Sequence, residues 1–165
     1  MTRSSSAMSE RCPCGTGRTL AECCSRYHAG AEPPDAESLM RSRYTAYVLH
    51  DWAYLWRTLH QDHADKTDRV FSSWVEQIAA VTVPLQFRKL LVIATAAPDR
   101  EGFAHVLFHV DVREGKISRS FAEHSRFAHD GDGWRYVDGV TLGDCEVPRP
   151  LASLTFDRFG HAAYR

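Results

Sequence analysis

Long hydrophobic runs are missing from this 165-residue chain. No stretch approaches the roughly 18 uninterrupted apolar residues of a membrane-spanning helix, so no membrane partner is expected. An excess of one charge is missing too: 20 basic and 21 acidic side chains leave a formal charge of -1. The whole molecule therefore has no field drawing it to nucleic acid or anionic lipid. The serine-rich start, Met1 to Ser9, lacks the apolar region of a secretory signal, and the cytoplasm is the expected compartment. No P-loop, dinucleotide fingerprint, HExxH, nucleophile elbow or paired-carboxylate motif appears. No reaction class announces itself, and the expectation leans away from an enzyme. What remains is an ordinary globular composition, 44% hydrophobic and 25% charged, which excludes collagen-like, wholly disordered and coiled-coil chains.

Cysteine is scarce, but its placement is uneven. Of five cysteines, Cys12, Cys14, Cys23 and Cys24 fall within thirteen residues, and Cys145 stands alone. An odd total, clustering and no export signal argue against a disulfide framework. Reduced, unliganded thiols or a redox pair would be the bland reading; four thiols this close in a reducing compartment point instead to a shared metal. Zn²⁺ favours four soft ligands in a tetrahedron. A tight turn at Pro13 lets Cys12 and Cys14 face one point, and Gly15 and Gly17 permit the positive-φ turns of a small metal loop. Thr19, with Glu22 as capping-box partner, predicts a short helix from Leu20 that returns Cys23 and Cys24 to the metal. His28 is an alternative to Cys24 as fourth ligand. Four thiolates around Zn²⁺ carry a local charge of about -2, which Arg11, Arg18 and Arg26 are placed to offset. A closed set of four leaves no open position, so the one zinc ion expected is structural.

The run Cys-Pro-Cys-Gly-Thr-Gly-Arg-Thr-Leu-Ala-Glu-Cys-Cys, residues 12–24, resembles the SEC-C motif, a zinc-binding module found at the C-terminus of SecA and in many other bacterial proteins. Leu39–Tyr47, Glu123–Phe127 and Trp134–Gly139 are similar to successive segments of the YchJ, or UPF0225, family. That resemblance implies an NTF2-like domain behind a zinc knuckle. It also implies a protein partner docked through the knuckle. Sheets of the NTF2-like type often dimerise, so a homodimer stays open. Some members carry a second SEC-C motif at the C-terminus; here Cys145 is solitary.

Periodicity supplies the rest. Residues 1–10 are expected to be disordered, 11–30 to form the knuckle, 31–140 the NTF2-like domain, and 141–165 a C-terminal extension of it. Asp35 predicts an N-cap for a helix from Ala36 to about His50, with Leu39, Met40, Tyr44, Tyr47 and Val48 on its buried stripe. Asp51 predicts a second helix to about His60. Residues 61–69 read as a loop and 71–80 as a third helix. Beyond Pro84 the text turns to strands at 87–96, 103–113, 117–128 and 134–140, separated by Gly- and Asp-rich turns. The fold class is α+β: two to three helices packed on a curved antiparallel sheet of at least four strands.

Chemistry in this domain has two candidates, His109 and Glu123. If they line one cavity, a histidine base oriented by a carboxylate can move a proton, making the chain an NTF2-like enzyme or small-molecule-binding protein. Alternatively the strand face carrying His105, His109 and Asp111 is simply wet. Arg43, at the edge of the apolar stripe, predicts an ion pair with Glu123 that ties helix to sheet; anion binding by Arg41 and Arg43 is the competing reading. Cys145, between Asp144 and Glu146, is a poor nucleophile because neighbouring acids raise a thiol pKa.

Overall fold

The computed structural model describes residues 10–163, so the expected disordered start, Glu10 excepted, lies outside the described residues. The first helix is a single turn, α1 (Ser25–His28). The longest is α2 (Ala36–Leu49), started by Asp35, whose carboxylate accepts from Ser38 N at 2.7 Å. His50 ends it in the left-handed region at φ 57°. Asp51 then caps α3 (Trp52–Arg57) by accepting from Tyr54 N at 3.0 Å.

The pattern ran α3 on to His60, but it stops three residues earlier. Backbone 58–60 is claimed by a strand: Tyr136 N donates to Thr58 O and His60 N donates to Tyr136 O, both at 2.8 Å. Segment 61–69, read as a loop, contains one short helix, α4 (Ala64–Asp68). Next comes α5 (Phe71–Thr82), with Trp74 buried and its indole N–H donating to Asp65. Among the described residues no helix is long and apolar enough to cross a membrane.

Five strands follow: β1 (Gln86–Ala96), β2 (Ala104–Glu114), β3 (Ile117–Ser118), β4 (Phe121–His129) and β5 (Trp134–Gly143). The order is β1-β2-β4-β5, antiparallel throughout, with β3 paired to the end of β2. The single strand expected over 117–128 is split because the Ser120 hydroxyl takes the Val112 N–H at 3.2 Å, where a ladder bond would continue. Register shifts at Phe87/Lys89, Val92/Ala94 and Arg126/Phe127 mark irregularities that bend a sheet.

Helices cover one face of that curve. Leu39, Met40, Tyr44, Leu55 and Trp74 pack against Val106, Phe108, Val110 and Phe127. The other face is covered across its middle. Beyond β5 the chain turns back through a 3₁₀ turn (Leu151–Ser153) and α6 (Phe156–Ala163), and Val147, Leu154 and Phe159 cover Leu107, Ala122 and Leu142. Strand β2 is therefore buried on both sides, with Leu107 at 0% exposure and His109 at 8%. Around Leu107 the face expected to be solvated is a second, smaller core, while Asp111 and Arg113 farther along line an open polar groove with Arg88 and Lys89.

Candidate metal centre and cavity

Residues 11–24 fold as a closed loop. Arg11 and Thr19 pair across its neck, and Gly15 and Gly17 turn with φ of 83° and 80°, values that a side chain would strain. Leu20 to Cys24 make turns, with Cys23 N and Ser25 N both donating to Leu20 O. The helix expected from Leu20 thus begins only at Ser25, because these shared bonds tighten the chain to bring adjacent Cys23 and Cys24 to the same point. The capping contact itself forms: Glu22 N donates to Thr19 Oγ1 at 3.4 Å, and that hydroxyl donates to Glu22 Oε2 at 2.7 Å.

The four sulfur atoms of Cys12, Cys14, Cys23 and Cys24 lie within 4.8 Å of one another, and all four residues are buried. Sγ–Sγ separations of 3.5 Å (Cys14–Cys23) and 3.9 Å (Cys23–Cys24) bracket the edge of about 3.8 Å that a tetrahedron with metal–sulfur bonds near 2.3 Å requires. Hydroxyls sit on two sides. Thr45 Oγ1 donates to Cys24 Sγ at 3.4 Å and lies 3.7 Å from Cys12 Sγ. Thr16 Oγ1 lies 3.3 Å from Cys23 Sγ and 3.5 Å from Cys14 Sγ. Hydrogen bonds with Cys14 and Cys24 pull the Cys12 thiol down, and contact with Cys12 pushes Cys14 and Cys24 up. A divalent cation at their centre would stabilise all four thiolates together. The donor set, spacing and burial fit a four-thiolate metal ion.

His28 is occupied elsewhere. Its Nε2 lies 2.9 Å from Ser42 O and its Nδ1 3.7 Å from Asp51, which removes it as the alternative to Cys24. The knuckle is fastened to the domain rather than hung from it, since Arg41 Nη1 donates to Cys14 O at 2.7 Å and Arg57 Nη2 to Tyr27 O at 2.8 Å. Arg11, Arg18 and Arg26 are exposed around it.

The catalytic candidates do not meet. In the β2–β4 register His109 stands opposite Ala122 and Phe108 opposite Glu123, so His109 and Glu123 lie on opposite faces. His109 Nε2 bonds Asp144 Oδ1 at 3.0 Å beneath the C-terminal segment. That hydrogen bond, helped by Arg149, lowers the Asp144 pKa. Glu123 faces the helices, in a cavity of about 250 Å³ that it shares with Arg43, Tyr47, Phe108, Phe121 and Tyr136. A general-base pair of His109 and Glu123 is thereby corrected: their positions are an odd number of steps apart across a sheet whose side chains alternate faces.

The predicted Arg43–Glu123 ion pair is corrected as well. Arg43 is buried and donates from Nη1 to Leu55 O at 2.8 Å and Thr58 Oγ1 at 2.6 Å, with its guanidinium carbon 4.8 Å from the Tyr136 ring centre. Glu123 Oε1 accepts from Ser125 and, at 2.8 Å, from the Tyr136 hydroxyl. Tyr136 touches both groups, the guanidinium over its ring and the carboxylate at its hydroxyl. Burial, then the neighbouring Glu123 carboxylate, push the Tyr136 hydroxyl pKa up, so it remains a donor. Gly139 makes room for the carboxylate, because a Cβ there would collide with Glu123 Oε1. Sequence reasoning missed Tyr136 as the bridge; its only signal was its place beside Trp134 and Arg135 in a strand assigned to packing.

A family model described as the middle NTF2-like domain of YchJ matches residues 35–139, and the SEC-C motif model matches residues 8–26. A UPF0225 protein of Bordetella pertussis is 39% identical over 131 residues, covering 78% of this chain and 90% of the relative. Another from Geobacter sulfurreducens is 35% identical over 156 residues, covering 92% and 89%. The solution structure of a SEC-C motif containing protein from Rhodopseudomonas palustris is similar with a TM-score of 0.65 and 26% identity, covering 78% of this chain and 95% of that one. A crystal structure of a SEC-C motif containing protein from Psychrobacter arcticus has the same fold at a TM-score of 0.65 and 20% identity, covering 94% and 97%. With relatives matched along nearly their full length and the domain model spanning most of the chain, this protein belongs to the UPF0225 family.

Proposed function

We propose that the knuckle holds one structural Zn²⁺ through Cys12, Cys14, Cys23 and Cys24, and that it serves in the cytoplasm as a protein-docking module fixed to the NTF2-like domain. The observation that carries this reading is the closed arrangement of four buried sulfur atoms ringed by exposed cations. Four protein ligands leave no position for a reactant, so the ion organises the loop and performs no chemistry on a substrate. What the ion organises is a display. Arg18 donates to Glu22 O, Arg26 to the Tyr27 hydroxyl, and Arg11 to Gly17 O at 3.4 Å, so loop groups hold three exposed guanidinium groups in place. Pre-ordered cations lose less entropy on binding than free ones, and an acidic protein surface is their natural complement.

Two measurements test the two halves separately. Metal analysis of purified protein is expected to give one zinc per chain, lost in Cys12→Ser; protein purified without metal overturns the zinc assignment. In a pull-down, Arg11→Glu/Arg18→Glu/Arg26→Glu is expected to retain zinc but lose a specific acidic partner that Glu123→Gln keeps. Unchanged capture by the triple variant overturns the docking role.

A further inference from the structure

The cavity between α2 and the sheet is independent of the knuckle reading, and its lining is selective. Apolar and aromatic side chains make most of it, among them Met40, Tyr44, Phe87, Phe108, Phe121 and Phe127. Its two charged groups are opposite in sign, beside the neutral hydroxyls of Tyr44, Tyr47, Ser125 and Tyr136. Arg43 is 7% exposed, spends Nη1 on Leu55 O and Thr58 and has the Tyr47 hydroxyl as a further neighbour, while Glu123 spends Oε1 on Ser125 and Tyr136. Glu123 Oε2 has only a long contact, 3.4 Å, to Thr141. One cation with spare N–H donors and one anion with a spare acceptor thus line the same space, and each contacts Tyr136 rather than forming an ion pair with the other.

We propose that this cavity binds a small, uncharged aromatic molecule carrying one group that both accepts and donates hydrogen bonds, such as a carboxamide or a phenolic hydroxyl. The aromatic ring occupies the apolar part, the group's oxygen accepts from Arg43, and its N–H or O–H donates to Glu123. Charge decides the class. The site's own charges sum to zero, so an anion leaves Glu123 and a cation leaves Arg43 facing a like charge at low dielectric, and a zwitterion must give up the hydration of two ions at once; each costs more than the attractions return. Size points the same way: about 250 Å³ lies just below the roughly 300 Å³ at which drug-sized pockets begin.

Three probes of nearly one shape, benzamide, benzoate and benzylamine, and the larger zwitterion L-phenylalanine test this by titration calorimetry and by backbone NMR shifts of cavity residues. Benzamide is expected to bind about tenfold more tightly than any of the other three, with shifts centred on residues 121–127, as befits hydrogen bonds to charged partners. In Glu123→Gln, where Arg43 is no longer balanced, benzoate is expected to overtake benzamide. Absence of cavity shifts with millimolar benzamide, a charged probe ranking first on the unaltered protein, or an unchanged ranking in a folded Glu123→Gln variant would each overturn the proposal. Should that variant fail to fold, the ranking on the unaltered protein decides alone.

Discussion

Thr45 shows how much rests on one hydroxyl. It is fully buried in α2, one donor shared between Cys24 and Cys12. Thr45→Val keeps the shape and removes the donor. Because groups that orient metal ligands typically tune affinity about 10–100-fold, the variant is expected to fold and, if the cluster holds a metal ion, to lose it to a chelator at roughly tenfold lower chelator concentration. A chelation curve superimposable on the parent's would mean that the hydroxyl only packs. The cysteines themselves were legible because thiols at this spacing have few other uses. Arg43 was half legible: its place at the edge of an apolar stripe announced burial, but its partners did not show. Those partners are a carbonyl and a hydroxyl from α3 plus a ring from β5, all brought in by tertiary packing, and helical spacing carries no information about what crosses from another element.

Among the elements, those with a capping or turn residue at their ends could be read, while α4 and the C-terminal helix could not. Asp35, Asp51 and the glycine-rich turns marked ends that the structure keeps to within a few residues. Segment 144–163 has two prolines and little periodicity, so wrapping the sheet was one of several courses open to it and nothing in it announced a helix. The clue lay in β2, where Leu107 broke an otherwise polar face; an isolated leucine there asks for something above it. Phe159 supplies the answer at 1% exposure, packed in the same cluster and edge-on to His124. Phe159→Ala is expected to cost about 3–5 kcal/mol, the usual range for a buried phenylalanine. Denaturant titration would register that loss, and limited proteolysis would cut first within residues 144–163. A loss below about 1 kcal/mol, the scale of surface substitutions, would show that this segment is not part of the cooperative unit.

At the scale of the whole molecule, acid acts in two stages. Burial holds the folded-state pKa of His63 and His124 below the ordinary value, and His105 beside His124 adds to the effect. Their contribution to stability is full above about pH 6.5 and falls as pH drops toward the depressed values, since the unfolded chain binds those protons first. Asp138, held down by Arg126, and Asp144, held down by His109, act lower: their contribution is complete above about pH 3.9 and is lost beneath it. Denaturation midpoints between pH 8 and 3 are expected to fall in two steps, with His124→Asn shrinking only the upper one; a single carboxylate step would remove the histidine account. Finally, α2 is a party wall. Arg41 and Thr45 grip the knuckle, while Arg43, Tyr44 and Tyr47, interleaved with them, look into the chamber on the other side. A tenant that shifts this wall disturbs its neighbour, and reciprocity then demands that the ion alter the tenant's grip by the same factor that the tenant alters the ion's.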